Sequence, residues 1–372
     1  HFEYDEDNRM AGKMIIIDEM SMVDVWLANN LLKALPDDIQ IIMVGDEDQL
    51  PSVGPGQVLK DLLESGLIPT VKLTDIFRQE DGSTIVQLAH DIKKGMVPEN
   101  LTIQQKDRSF VPCSPAQVPH VVKQIVESAV RKGGYTKKDI QVLAPMYRGQ
   151  AGINHLNQIL QEVFNDNSDG KKRELRFGDV TYRVGDKVLQ LVNQPDKNIF
   201  NGDIGEISAI IYAKENEDKE DQVFVTFDDT EVMYTRQDLQ QITLAYCCSI
   251  HKAQGSEFPV VILPVVRSYY RMLRRNLIYT AITRSQQKLI LCGDVSAFKM
   301  AVHRVDEDLR QTTLKERLLH TFKKDPSQAQ NIKEDRKADV ESYLEQLMNT
   351  DPMVGMGNLT PYYFMGEEIS GQ

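Results

Sequence analysis

Two carboxylates stand side by side at the end of a short apolar run, Met14-Ile15-Ile16-Ile17-Asp18-Glu19. The run is rich in β-branched residues and predicts a buried parallel strand. At the carboxyl end of such a strand, where open α/β sheets bind ligands, one carboxylate can hold a divalent cation while its neighbour orients a water. The same dipeptide also serves as an ordinary solvated strand end or helix N-cap. A second predicted buried strand, residues 39–44, runs into Gly45-Asp46-Glu47-Asp48-Gln49-Leu50-Pro51-Ser52-Val53-Gly54-Pro55-Gly56. Gln49 is a neutral donor and acceptor, suited to reading a terminal phosphate. The prolines and glycines stiffen and turn the loop, as they do in many tight strand–helix connections.

Three further segments carry polar chemistry. Phe77-Arg78-Gln79 follows a third predicted strand at residues 71–73. Ser249-Ile250-His251-Lys252-Ala253-Gln254-Gly255-Ser256-Glu257-Phe258 mixes cationic, amide and acidic groups around a glycine, and Leu277-Ile278-Tyr279-Thr280-Ala281-Ile282-Thr283-Arg284 ends an apolar helical pattern in arginine. A guanidinium stays charged and forks onto phosphate oxygens. Taken singly, His251-Lys252 reads as a surface pair and Arg284 as a helix C-terminal charge.

The elements that must position these groups alternate. Helical patterns at residues 25–35, 58–63 and 85–94 separate the first strands, and 119–132, 140–144 and 152–164 continue as helix, strand, helix, the texture of a doubly wound α/β domain. From about residue 175 to 241 the pattern becomes short strands with turn signals, at 187–191, 205–212, 222–227 and 231–234, which predicts a small all-β module inserted into the α/β fold. Strands at 259–264 and 288–292 flank a helix over 276–283, and a helical tail is expected near 309–319 and 333–348.

The net charge of −12 argues against a simple nucleic-acid binder. The charge is uneven, however. Residues 267–288 hold six basic side chains and no acidic one, interleaved with Tyr269, Tyr270 and Tyr279, whereas residues 214–238 hold nine acidic and three basic. A local basic groove inside an acidic chain is compatible with DNA, and a solvated helix face plus one structural arginine has the same composition. The four cysteines, Cys113, Cys247, Cys248 and Cys292, lack metal-ligand spacing, which fits a reducing cytoplasm. No apolar run approaches ~18 residues, so no membrane span is expected.

In order and spacing these five segments resemble motifs II to VI of superfamily 1 helicases, and their wording is similar to the RecD-like branch of superfamily 1B (the RecD and TraA type). Ala144-Pro145-Met146-Tyr147-Arg148-Gly149, Asn154-His155-Leu156-Asn157 and Asn201-Gly202-Asp203-Ile204-Gly205 add to the likeness, which covers residues 14–320. The resemblance implies an α/β fold with a RecA-like helicase core, here a partial first domain and a complete second one, carrying an inserted SH3-like β-barrel. The expected division is residues 1–95 for the first domain, 96–180 with 242–305 for the second, 181–241 for the barrel and 306–372 for a helical tail. It implies an ATP-dependent DNA helicase moving 5′ to 3′ on single-stranded DNA, in repair and recombination, with ATP and magnesium as cofactors. Asp18 would hold magnesium and Glu19 would be the catalytic carboxylate. Gln49 would sense the terminal phosphate, and Arg78 and Arg284 would stabilise charge on the departing phosphoryl group. Gln254, Gly255 and Glu257 would lie toward the nucleotide, while Ser249, His251, Lys252 and Arg148 would lie toward DNA.

One departure is plain. The phosphate loop G-x-x-x-x-G-K-[ST] occurs nowhere in the 372 residues. The chain is therefore expected to start between that loop and motif II, and to lack ATPase activity by itself. The alternatives are the helicase part of a conjugative relaxase and a non-catalytic DNA-binding or scaffold module with a helicase-like fold. Five retained polar residues, Asp18, Glu19, Gln49, Arg78 and Arg284, count against a scaffold. The aromatic run Tyr362-Tyr363-Phe364 is expected either to dock a protein partner or to fold back on its own domain.

Overall fold

The computed structural model describes residues 2–73, 82–305, 310 and 312–324. The chain opens with β1 (Met14–Ile17), α1 (Val25–Ala34) and β2 (Gln40–Met43), then α2 (Val58–Ser65) and α3 (Thr84–Lys93). β3 (Arg108–Pro112), α4 (Val118–Gly133), β4 (Ile140–Ala144) and α5 (Ile153–Phe164) follow. Seven strands come next: β5 (Glu174–Phe177), β6 (Val180–Arg183), β7 (Lys187–Gln190), β8 (Ile204–Ile211), β9 (Gln222–Phe227), β10 (Thr230–Thr235) and β11 (Ile242–Leu244). Alternation resumes with β12 (Cys247–Ser249), β13 (Phe258–Val265), α6 (Arg275–Thr283), β14 (Ser285–Gly293), α7 (Val295–His303) and α8 (Leu314–Lys324). These elements fall into two compact units, one drawn from residues 1–57 and 72–310, the other from 58–71 and 311–372.

In the first unit the core is built on a parallel sheet of order β12-β4-β13-β14-β3. Every residue of β4 is buried, as is nearly all of β13, so these strands read as continuous apolar runs rather than alternating ones. Helix α6 lies on β13 and β14 and buries Leu277, Ile278, Ala281 and Ile282. Between α5 and β12 the chain makes a five-stranded antiparallel sheet, β10-β9-β8-β7-β11, the all-β module that the turn signals predicted.

The junction between module and parallel sheet is polar and buried. The Asp186 carboxylate accepts from Arg183 N (2.6 Å), Gln161 Nε2 (2.6 Å), Asn165 Nδ2 (2.7 Å) and the Tyr246 hydroxyl (2.8 Å). Burial pushes its pKa up despite these donors. Asn157 pairs both backbone groups of Cys247, Oδ1 accepting from its N–H and Nδ2 donating to its carbonyl (both 2.8 Å). It thereby acts as a strand partner at the start of β12. Lys187 Nζ donates to Gln141 Oε1 (2.9 Å) and Ile140 O (3.2 Å), and lies 5.5 Å from the Phe258 ring centroid.

Several expectations need correction. β1 and β2 do pair in parallel, Ile15 opposite Ile41, but they are not buried strands. Ile16 is 64% exposed, and Met14, Ile42 and Val44 on the same face are exposed too, because no described element covers that face of the two-stranded sheet. Residues 71–73 form no strand: Val71 and Leu73 are over 80% exposed, with neither a strand partner nor a core to enter among the described residues. Arg78, placed by that strand, lies outside the described residues, as do the tail helix at 333–348 and Tyr362-Tyr363-Phe364.

In the second unit α2 packs on α8, which begins at Leu314 rather than near 309. Thr312 Oγ1 donates to Asp61 Oδ2 (2.6 Å) and Lys315 Nζ pairs with Glu64 (2.9 Å). The Lys315 bond holds the Glu64 carboxyl below its ordinary value.

Burial pushes the Lys187 ammonium down to about 8. In the unfolded chain a lysine titrates near ~10.4, so between the two values the unfolded state binds more protons and stability rises with pH. The thermal midpoint should climb between about pH 8 and ~10.4, and Lys187→Met should flatten that climb. Equal slopes for the two proteins would contradict the assignment.

Candidate functional site

β1 and β2 end side by side, held by Val44 N donating to Ile17 O (2.8 Å) and Met20 N to Val44 O (2.9 Å). Just beyond β1, Glu19 takes the left-handed conformation, with φ 54° and ψ 40°. For a residue with a side chain this costs roughly 1 kcal/mol or more. It persists because Met20 is buried and because Glu19 N donates to Asp18 Oδ1 (2.7 Å). The reversal presents two adjacent carboxylates, Asp18 exposed and Glu19 half-buried, at the carboxyl edge of the strand.

The loop after β2 emerges at the same edge. Asp46 shapes it by accepting from Asp48 N (3.0 Å) and from the Tyr279 hydroxyl of α6 (2.9 Å). Burial, followed by the Asp46 charge, raises the Tyr279 phenol, which keeps it a donor. Asp48 pairs with Lys93 of α3. Burial alone would lower the Lys93 ammonium, but the Asp48 hydrogen bond and charge, with Asp46 and Glu47 nearby, raise it. Next in the chain, the Gln49 Oε1 atom is buried with no hydrogen-bond partner among the described residues.

Leu50 is where the loop joins the rest of the unit. Its N–H donates to Thr280 Oγ1 of α6 (2.8 Å), and its carbonyl accepts from Gln254 Nε2 in the turn after β12 (2.9 Å). Beyond Leu50 the loop presses on the start of α1: a Cβ at Gly54 would lie 1.8 Å from Asp24 Oδ2, and one at Gly56, where φ is +87°, would lie 2.1 Å from Val25 Cγ2. Only glycine fits either place.

Arg284 follows α6 and lies one helical turn beyond Thr280. It is 3% exposed, and its guanidinium donates to Thr280 O (3.2 Å), Ser256 O (3.2 Å) and Thr283 Oγ1 (3.3 Å). Gln254, which holds Leu50, and Gly255, at φ +77°, form the same turn as Ser256, and Glu257 accepts from Gln286 Nε2 (3.2 Å). Ser249 is buried, and its hydroxyl accepts from Lys252 N (3.2 Å) as a cap of the turn. His251 and Lys252 are partly buried, and burial lowers the pKa of each. The Lys252 ammonium donates to Asn201 in the β7–β8 loop of the antiparallel module. Arg148 is exposed.

The basic stretch 267–288 does not make one face. Arg284 is buried, Lys288 Nζ donates to Lys106 O (2.5 Å), Arg267 pairs with Asp294 (3.1 Å), and Tyr269 is buried with its hydroxyl on Ala151 O. Tyr270 and Arg271 remain on the surface against each other. Thr280, Tyr279, Lys93 and Asn201 were missed as site residues. Thr280 and Arg284, four apart on one helix, carried a spacing that could have shown the first of them.

Residues 3–115 match the family model of an AAA domain, residues 156–227 that of the ATP-dependent RecD-like DNA helicase SH3 domain, and residues 244–292 that of the UvrD-like helicase C-terminal domain. The chain is 34% identical over 311 residues to the ATP-dependent RecD2 DNA helicase of Deinococcus radiodurans, covering 82% of this chain and 39% of that protein. It is 27% identical over 333 residues to RecBCD enzyme subunit RecD of Mycolicibacterium smegmatis, covering 85% and 56% respectively. A solved Pif1 helicase from Candida albicans aligns with TM-score 0.49 at 18% identity, over 85% of this chain and 76% of that one. The chain thus spans 39% and 56% of the two curated relatives.

Replacing Thr280 by valine keeps the shape but leaves the Leu50 N–H buried and unpaired, a loss of about 1–3 kcal/mol. Chemical denaturation should show that cost for Thr280→Val and little for Thr280→Ser. A valine variant as stable as the parent would contradict the bond.

Proposed function

The chain belongs to the RecD-like helicases, and from that premise we propose that its residues form part of an ATP-driven motor moving 5′ to 3′ on single-stranded DNA. The observation that supports this most directly is the double hold on Leu50. Gln49 stands one residue before a peptide bonded to both the β12 turn and α6, so a displacement of the Gln49 loop pulls on both. Such a connection is what a motor needs between a phosphate and a strand of DNA.

The carboxylate pair fits magnesium of one kind. No group of three or more His, Cys, Asp or Glu among the described residues makes a metal cage. Magnesium commonly takes only one or two carboxylates, with waters and phosphate oxygens completing the shell. Asp18 is proposed to hold the ion and Glu19 to orient water and accept its proton. Bound with ATP, magnesium neutralises charge on the phosphoryl group. The Gln49 amide, with its unpaired buried oxygen, is suited to meeting that water or the phosphate. Arg284 supplies fixed charge from beneath the Ser256 turn, with Arg78 as the second proposed arginine. Gln254, Gly255 and Glu257 are proposed on the nucleotide side.

On the DNA side, Ser249, His251, Lys252 and Arg148 are proposed to form the track, with Ser249 acting through the turn it caps. Residues 1–95 and 96–180 with 242–305 are proposed as the two RecA-like domains, and 181–241 as an SH3-like barrel inserted in the second. No phosphate loop lies within the 372 residues, so turnover is proposed to need a polypeptide that includes one.

In a polypeptide that includes such a loop, Arg284→Ala should lower kcat for ATP by roughly 10³-fold while DNA affinity changes little. Steady-state ATPase and equilibrium DNA binding measure the two. Near-normal turnover would overturn the role of Arg284.

DNA affinity itself should fall steeply with salt, because phosphate contacts release counterions. Affinity that stays flat as salt is raised would remove the electrostatic track.

A further inference from the structure

We infer that Arg310 is a positioning residue for the Gln49 loop, an inference that rests on the motor function proposed above. Its guanidinium gathers three carbonyls of one pentapeptide: Nη1 donates to Gly54 O (2.6 Å) and Gly56 O (2.8 Å), and Nη2 to Ser52 O (2.6 Å). Nη1 also meets Ser52 Oγ (3.3 Å), whose hydroxyl donates to Gly54 O (3.2 Å).

Three carbonyl oxygens turned toward one point repel one another unless a donor with several N–H groups sits among them. Guanidinium offers such a planar fork, and a lysine ammonium matches it less well. The anchored segment follows Gln49 and Leu50 after one residue, Pro51. Its other side is pressed on α1, where Gly54 abuts the Asp24 carboxylate that caps the helix through Leu27 N (2.7 Å), and Val25 N donates to Pro55 O (3.0 Å). Asp24 lies five residues after Glu19. One arginine, more than 250 residues away in sequence, therefore ties down the loop that carries Gln49 and the segment that follows Glu19.

Lys93 on Asp48 and Tyr279 on Asp46 secure the loop before Gln49, and Thr280 and Gln254 secure it at Leu50. After Pro51 the glycine-bearing portion is held by Arg310 on three carbonyls and by Val25 N on Pro55 O, and of these Arg310 is the side-chain hold. Release of Arg310 would free that portion while leaving Asp18, Glu19 and Gln49 chemically unchanged. The expected signature is a loss in kcat rather than in ATP binding.

The test is made in the full-length protein with Arg310→Ala, Arg310→Lys and Glu19→Gln. DNA-stimulated ATPase should fall about ten-fold or more in kcat for Arg310→Ala, with KM for ATP within about two-fold, and Arg310→Lys should recover part of the loss. Hydrogen exchange should quicken in peptides covering Ser52–Gln57 in Arg310→Ala while β13 and β14 stay protected. Unchanged exchange in that loop overturns the anchoring, and unchanged kcat overturns the positioning role. If Glu19→Gln retains full turnover, it is the proposed function that fails. If Glu19→Gln abolishes turnover and Arg310→Ala does not reduce it, only the inference about Arg310 fails.

Discussion

The peptide group of Leu50 is the point on which the candidate site depends. A buried backbone N–H or carbonyl left unpaired costs about as much as a lost hydrogen bond, so a loop can enter the core only where partners wait for it. At Leu50 those partners are side chains, Thr280 on α6 and Gln254 in the turn after β12, both more than 200 residues further along the chain. They are in place because α6 buries Leu277, Ile278, Ala281 and Ile282 on the parallel sheet and because β12 forms one edge of that sheet. The packing of the core thus fixes the height of Thr280, and Thr280 fixes the loop that carries Gln49.

The antiparallel module adds a second constraint on the same turn. Its strands leave and re-enter the parallel sheet through a junction of buried polar groups, in which Asp186, Asn157 and Lys187 each satisfy backbone or amide partners on neighbouring elements. An apolar junction would bury as much surface but would allow the module to slide, whereas directional bonds allow one placement. With the module so placed, Asn201 reaches the Lys252 ammonium. The turn after β12 is therefore touched from the barrel side at Lys252 and from the Gln49 loop at Gln254, two residues apart.

What the sequence made legible follows from the range of the interactions involved. β4, β13 and α6 could be read because continuous apolar runs and helical spacing are local signals, and the strand-end carboxylates because they abut such a run. Residues 71–73 were misread for the same reason: three residues with β propensity look like a strand, but Val71 and Leu73 find nothing to pack on among the described residues. The exposure of Met14 and Ile16 was hidden too, since burial of a strand depends on elements that cover it and not on its own composition. The basic stretch 267–288 left a DNA groove and a helix face with one structural arginine both open, because adjacent charges in sequence do not show which way each one turns; the fold turns Arg284 inward and spends Arg267 and Lys288 on local partners. The partners in long-range pairings, such as Leu50 with Thr280, Tyr279 with Asp46 and Arg310 with Gly54, are not given by any local pattern, even where a spacing such as that of Thr280 and Arg284 marks one member.

The most direct measurement of the central claim is a double-mutant cycle between Thr280 and Gln254, read as kcat for DNA-stimulated ATP hydrolysis by the full-length protein. Thr280→Val and Gln254→Ala each remove one hold on the same peptide. If Leu50 transmits between the loop and both elements, losing the second hold after the first should matter far less than losing it alone. The coupling energy should then exceed the ~0.5 kcal/mol within which independent sites add. Additive losses would mean that the two contacts act separately and that Leu50 is not the shared point of connection.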